Sequence, residues 1–576
     1  MQRPSFFGLV LLCGALAIPA AAAEDSVPLY GRLHKEFDAK LGVERVEFTG
    51  PDGVVESRPA FAHQPGEFTY DRHGYEILKP KGAVMTAVRF TPTKAGAYKY
   101  RAMKGDAAVA EGTFPCAASE NHGYVEVSKK DPRYFALSDG TSYCAIGTNL
   151  CWPAWHTVRP NKENAELGGR GTLGANEYRH WFEAMSKNGG NFARLWVGWA
   201  YFDAQTPTAG EMDLLMFNRL DKVVELARQN GVRLKFCMDA FRSVKEGGQN
   251  YRLYKNPADG KPPKDMAEFF TGKTWRELWL KKIRAYGERY GGDPTVAVWE
   301  LWNEINAAEG GWENQREWTK YMLKELQKMF PKQLVVNSLG SFDSDWSKPH
   351  YNDFKMDEMP FQQVHRYLDQ GAGYEICRTD PVAFSIDAVN QTRRPDRPVL
   401  LAETGGVNDN HAGPFRYYRG DHRSIIFNDT TFPAFFAGAA GTGHIWHWDL
   451  YVDEKNAWQY FKPFSNLIVG IQLDAEDFQA KDLSTKDCWV LCLKGKQHTL
   501  AWVRNKADSW HAVLRDFKEP GLIENAVVDL GSIGVTAGQV KTEWPWSEST
   551  GAAKLENGKL TLPAFRYGVM VRIDGK

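Results

Sequence analysis

The spacing of apolar and polar residues changes twice along the chain. Over about 27–114, short alternating runs are broken by turn residues. Val43-Glu44-Arg45-Val46-Glu47-Phe48 precedes Pro51-Asp52-Gly53, and Met85-Thr86-Ala87-Val88-Arg89-Phe90 and Tyr98-Lys99-Tyr100 follow. Alternation at period two with Gly/Pro punctuation predicts a β-sandwich. Over about 124–470, near-continuous apolar runs alternate with stretches of helical period. The runs 142–150, 191–198, 232–239, 296–304, 333–340, 361–368, 398–405 and 443–450 are strand candidates. Helical spacing is clearest at 212–230, where Gly231 is a stop signal, and recurs at 275–290 and 312–330. Residues 341–359 are polar and irregular and predict no helix between the fifth and sixth strands. Strands alternating with helices in this way predict a (β/α)8 (TIM) barrel rather than an open sheet. Beyond about 474, short strands return at 488–493 and 567–573, predicting a second β-sandwich. The expected organisation is therefore multidomain, a central barrel over 119–470 flanked by β-sandwich domains over 24–118 and 471–576.

The first 23 residues read as an address. Arg3, the apolar run 6–17 and Ala20-Ala21-Ala22-Ala23 have the order of a secretory signal peptide, with Leu12 before Cys13 arguing against a lipoprotein site. The run is short for a membrane span and no other candidate span is read, so the expectation is a secreted or periplasmic protein. Removing Cys13 leaves seven cysteines, an odd number. Cys144 and Cys151 are near enough in sequence to bridge, but a single extended strand would hold them apart. No zinc-type spacing is present, and neither a metal nor a cofactor is expected.

Lys+Arg and Asp+Glu are both 71, so the formal charge is zero, which argues against nucleic acid or an anionic membrane as the main partner. Twenty tryptophans are many, and their faces suit sugar rings as well as a large core. The chemistry concentrates at two strand ends. Val298-Trp299-Glu300-Leu301-Trp302-Asn303-Glu304 and Pro398-Val399-Leu400-Leu401-Ala402-Glu403-Thr404-Gly405 each deliver a Glu at the C-terminal end of a buried strand. That is where such barrels carry their chemistry, and two carboxylates across one sugar-sized gap suit glycoside hydrolysis. Glu300, four residues before Glu304, shares its side of an ideal strand and reads as a polar residue facing the barrel core. Long connections at 151–175, 240–273 and 406–429 would build cleft walls.

With these residues in view, the middle region resembles clan A of the glycoside hydrolases, the retaining barrel enzymes that include family 5 cellulases and mannanases. The resemblance implies that Glu304, after Asn303 on strand four, is the acid/base, and that Glu403 on strand seven is the nucleophile. It matches Arg194 in Phe192-Ala193-Arg194-Leu195 to a strand-two arginine and His365 and Tyr367 to a strand-six pair. It matches Trp448, or in its place Trp446, to a strand-eight tryptophan. Family 5 enzymes often carry a His near the end of strand three, where this chain has Cys237-Met238-Asp239. The N-terminal region resembles the immunoglobulin-like module preceding many bacterial glycosidase barrels, through Arg89-Phe90-Thr91-Pro92 and Gly96-Ala97-Tyr98.

In that frame Arg194 and Tyr367 would hold Glu403, Asn303 would bind the sugar 2-hydroxyl, and His365 would position sugar or carboxylate. The strand-eight tryptophan would floor the reacting sugar. Each has a plainer alternative: Arg194 as a strand ion-pair partner, His365 as a structural histidine. Trp152, Trp155 and Trp199 line subsites or fill core. The expectation is a secreted retaining hydrolase of β-linked poly- or oligosaccharide, first an endo-β-mannanase or β-glucanase. An exo-acting arabinofuranosidase or galactosidase on the same barrel is the second reading, and a non-catalytic glycan-binding protein the third. Sugar, linkage and oligomeric state are not legible in the sequence.

Overall fold

The computed structural model describes residues 26–154, 156–157, 170–409, 411, 413–524, 526–547 and 551–575. The expected signal peptide and Trp155 lie outside the described residues. The described residues divide into two compact units, one drawn from 26–62 and 85–121, the other from 63–84 and 122–575.

The first unit is antiparallel β apart from one parallel edge pairing. One sheet orders Val27–Pro28, Ala107–Ala117, Gly96–Lys104, Arg45–Thr49 and Val55–Pro59, and a second is built on Leu33–Phe37 paired with Met85–Phe90. Alternate residues of both turn inward onto one core. Phe48 stacks on Phe90 with centroids 4.1 Å apart, and Tyr98 on Phe114 at 5.2 Å. The hairpin Gly66–Tyr70/Glu76–Pro80 falls within the range expected for the N-terminal sandwich but packs in the second unit. The reason is Glu76, buried with its carboxylate on the Arg219 guanidinium (3.1 Å) and the Tyr201 hydroxyl (2.8 Å).

The second unit contains the barrel. Its strands are β1 (Gly147–Asn149), β2 (Phe192–Trp196), β3 (Arg233–Cys237), β4 (Val296–Glu300), β5 (Leu334–Val336), β6 (Gln362–His365) and β7 (Val399–Glu403). β1 to β5 form one parallel sheet, and β6 pairs in parallel with β7. The eighth position is an irregular segment rather than the expected strand over 443–450. Bridges Thr404–Ile445 and Ala145–Gly441 close the circle, and the chain then turns into a π-helix at Trp448–Asp453. Around the strands lie α1 (Ala175–Lys187), α2 (Phe217–Gln229), α3 (Lys273–Tyr290), α4 (Trp312–Met329), α5 (Ser347–Asp353), α6 (Pro381–Thr392), α7 (Ile425–Phe436) and α8 (Phe461–Ile468). α5 fills the place where no helix was expected. It has only two buried residues, Ser347 and Tyr351, too few for an amphipathic period to show.

The strands are buried on both faces, so their sequences read as unbroken runs instead of alternations. β4 is the example: every residue is buried. Trp299 turns outward to stack on Phe330 at 4.1 Å, while Val298 and Glu300 turn in. The three-stranded meander Val125–Val127, Phe135–Leu137, Ser142–Tyr143 places Val125, Phe135 and Tyr143 against Phe192, Ala297, Phe361 and Leu400. An apolar plug therefore fills the N-terminal end of the barrel and leaves the polar residues to the other end.

A C-terminal sheet follows, ordered Gln479–Asp482, Cys488–Lys494, His498–Asn505, Gly568–Asp574, Gln539–Glu543. Its two faces have different partners. Leu491, Leu493, Leu500, Trp502 and Met570 join the barrel's core. Cys488, Val490, Cys492, Val503 and Val571 pack instead on Val528, Leu560 and Phe565 of a second small sheet region. The seven cysteines of the described residues are all buried and unbridged.

Candidate active site

Parallel register brings the polar side chains of adjacent strands level. Asn149 pairs with Arg194, Arg194 with Lys235, and Cys237 with Glu300. A register shift between Val364 and His365 sets His365 opposite Glu403. The outcome is a charged layer inside the barrel. Arg194, fully buried, donates from Nε to Glu300 (2.6 Å), from one terminal nitrogen to Asn303 Oδ1 (2.8 Å), and from the other to Glu403. Lys235 lies 3.7 Å from Glu300 and donates to Gln363 Oε1 at 2.7 Å, and Gln363 returns an N–H to Glu300 at 3.2 Å. Burial opposes ionisation of Glu300, but Arg194 and Lys235 hold its carboxyl down to about 2. Burial lowers Lys235 to about 8, against the pull of Glu300.

Above this layer stand Glu304 and Glu403. Glu403 ends β7, and Tyr367 donates to its Oε2 at 2.5 Å. Burial, then the charge of Glu403, raises the Tyr367 hydroxyl, so it stays protonated as the donor. Glu304 is not on its strand: β4 stops at Glu300, and Glu304 sits in the turn beyond, at φ 51 and ψ 54. A left-handed conformation costs a non-glycine residue about 1–3 kcal/mol, and such strain persists only when neighbours impose it. Here Ser338, just past β5, accepts the Glu304 N–H on Oγ (3.0 Å) and the Ile305 N–H on its carbonyl (3.1 Å). The turn aims the Glu304 carboxylate at Glu403 and away from the path of Glu300.

One oxygen of each of these two carboxylates and one nitrogen of His365 lie within 4.8 Å of one another. That closeness agrees with the ~5–5.5 Å carboxyl separation of retaining sites. His365 Nδ1 is 3.0 Å from Glu304 Oε1 and 3.4 Å from Glu403 Oε2. Burial lowers this imidazole to about 4, so at neutral pH the ring is uncharged. Burial raises Glu304, and Arg242 and Arg194 pull against it.

These groups floor a cleft of about 590 Å³. Asn303 lines it with its carbonyl taken by Arg194, which leaves its amide nitrogen for a ligand hydroxyl. Trp446 lines it too. Trp448, the preferred aromatic floor in the sequence reading, is 2% exposed and lies outside the cleft, because the chain leaves the barrel wall at His447 and turns into the π-helix. Trp152 is half-buried behind the wall, edge-on to Trp196 (5.1 Å), Trp446 (5.6 Å) and Trp448 (5.1 Å). The sequence reading missed Trp196, Arg242 and Trp346, which also line the cleft. Trp196 followed Arg194 on the same strand and was legible in principle. Arg242 and Trp346 sit on loops that only tertiary structure folds inward.

Residues 161–428 match the model of the cellulases, glycosyl hydrolase family 5. The chain is similar to mannan endo-1,4-beta-mannosidase 7 of Arabidopsis thaliana, 22% identical over 351 residues, or 54% of this chain and 75% of that protein. A crystal structure from Bacteroides vulgatus ATCC 8482, thought to be a glycoside hydrolase, shares the fold over 96% of this chain and 100% of its own. The TM-score is 0.53 at 14% identity. The chain is a retaining glycoside hydrolase. Within that class the family 5 match is confined to residues 161–428, and it holds despite the absence of a strand-three His.

Proposed function

We propose that this protein is an exported endo-acting β-glycanase, with β-mannan as its first substrate, in which Glu403 is the nucleophile and Glu304 the acid/base. The convergence of the two carboxylates within 4.8 Å carries the reading. Glu403 attacks the anomeric carbon while Glu304 gives its proton to the departing glycosidic oxygen. Bond breaking leaves a glycosyl ester on Glu403. Glu304, now ionised, takes a proton from water, and the resulting hydroxide cleaves the ester and restores Glu403. Tyr367 and Arg194 hold the nucleophile in line, and Asn303 offers its amide to the 2-hydroxyl, where hydrogen bonds strengthen in the transition state. Trp446 is the stacking surface for the reacting sugar.

Endo action is supported by the cleft's second aromatic surface. Trp346 is 66% exposed, past β5, on the side of the acid/base. Sugars on both sides of the broken bond then have a wall. Mannan is favoured because the plant relative acts on mannan. Export is supported by the order of residues 1–23.

The test is reducing-end release from β-mannan, β-glucan, xylan, galactan and algal glycans, beside Glu304→Gln and Glu403→Gln. Turnover of mannan is expected, with Glu403→Gln inactive. Glu304→Gln should lose about 10²–10⁴-fold in kcat, and much less on an aryl glycoside whose leaving group needs no proton. Activity surviving both changes would overturn the residue assignment, and turnover of another glycan alone would replace the substrate.

A further inference from the structure

Both oxygens of Glu304 are taken by side chains of the protein. His365 holds Oε1 at 3.0 Å, and Arg242 holds Oε2 at 3.3 Å. An acid must present one of them, with a proton on it, to the glycosidic oxygen. His365 is fully buried on β6 and has no route away. Arg242 is different. Its side chain is 31% exposed, it lines the cleft, and its single bond to Glu304 is long for a charge-assisted one. No other partner holds its guanidinium among the described residues. Its backbone, by contrast, is anchored: the Arg242 N–H donates to the Asn250 carbonyl (3.3 Å), and its own carbonyl accepts from the Glu309 N–H (3.0 Å). Ser243 Oγ adds a bond to Glu309 Oε2 at 3.1 Å. The loop is therefore fixed and the side chain is free to pivot.

We propose that Arg242 is a displaceable latch on the acid/base: it pairs with Glu304 Oε2 in the free enzyme, and the sugar of the leaving-group side pushes it off, so that binding of the substrate brings a proton from solvent onto Glu304. The inference rests on the reading of Glu304 as acid/base. A guanidinium on a carboxylate oxygen and a proton on that oxygen are competing states, and the first opposes acid catalysis. The other charged or titratable groups around Glu304 are Arg194 on β2, Glu300 on β4, Tyr351 on α5, His365 on β6, Tyr367 just past it, and Glu403 on β7. All are more than nine-tenths buried, so of the charged groups that hold Glu304 only Arg242 is exposed enough for an entering sugar to displace. Once displaced, its N–H groups face the cleft and can donate to the hydroxyls of that sugar. Arg242 is thus a positioning residue whose effect runs through Glu304.

Two measurements test it. The first needs no substrate: infrared titration of the Glu304 carboxyl in the free enzyme, isolated by subtracting Glu304→Gln. Arg242→Gln should raise that pKa by about one unit, a tenfold gain in proton affinity, and Arg242→Lys should leave it near the wild-type value. The second is the pH profile on the glycan that the panel selects. The alkaline limb of kcat/KM, which reports the free enzyme, should move up in Arg242→Gln, and that of kcat, which reports the complex, should stay. An unmoved free-enzyme pKa overturns the latch. So does a kcat limb that moves together with kcat/KM, since Arg242 would then stay paired in the complex. Full activity of Glu304→Gln would instead overturn the acid/base reading beneath it.

Discussion

Several residues of the site announce themselves by type and position. Glu304, Glu403, Asn303 and Tyr367 line one cleft, and Arg194 and His365 are buried against its carboxylates, because each is a polar side chain in or just past an otherwise apolar buried strand. The tryptophans do not announce themselves. Trp446 and Trp448 are two apart, and an extended strand would point both the same way. The chain is not extended there, so one lines the cleft and the other enters the core. Their substitutions should therefore differ in kind. Trp446→Ala should raise KM roughly tenfold with little change in melting temperature, from a lost stacking surface. Trp448→Ala should cost about 3–5 kcal/mol of stability from a core cavity. Thermal unfolding beside KM separates the two, and equal effects on both would remove Trp446 from the site.

At the scale of elements, the site is a product of strand register. Arg194 and Lys235 are set level by parallel pairing, and Glu300, on the next strand and level with Cys237, reaches both through its side chain. Two buried cations face two buried carboxylates, Glu300 and Glu403, and Gln363 fills the remaining hydrogen bonds. Such a layer tolerates loss of one member badly, since the remaining charge has no water to turn to. Glu300→Gln should lower stability by about 3–5 kcal/mol and also lower kcat, because Arg194 loses the bond that aims it at Glu403. Chemical denaturation and steady-state kinetics check both. A variant as stable as wild type would show the layer to be self-compensating. The same scale explains the helix α5 that the sequence hid. Seven residues with two buried positions carry no readable period, yet this short helix follows directly on Trp346, at the lip of the cleft.

At the scale of the molecule, the barrel and the C-terminal sheet share one hydrophobic core. Leu491, Leu493, Leu500, Trp502 and Met570 lie in the same cluster as the barrel's helices, and Arg504 reaches back to Asp429 on α7 at 2.9 Å. A chain ending at residue 475 would expose that face to water and leave Asp429 without its cation. It should be recovered insoluble, or unfold well below the whole protein, and calorimetry of the whole protein should show these two parts melting as one transition. A soluble truncation with an unchanged melting temperature would show the sheet to be an independent appendage.

The sequence by itself determined the alternation of strands and helices, and with it the barrel. It also determined the two strands that end in Glu and the arginine on β2 that serves them. Those features are local: a buried strand writes its burial into consecutive residues, and a polar residue there has few other reasons to exist. Only the tertiary structure decided which tryptophan meets the cleft, how Glu304 is turned toward Glu403, and that Arg242 and Trp346 stand at the same opening. These depend on a left-handed turn propped by Ser338, a strand that gives way to a π-helix, and loops closed by contacts distant in sequence. None of them leaves a period in the chain, because the forces that set them act between residues that are neighbours in space alone.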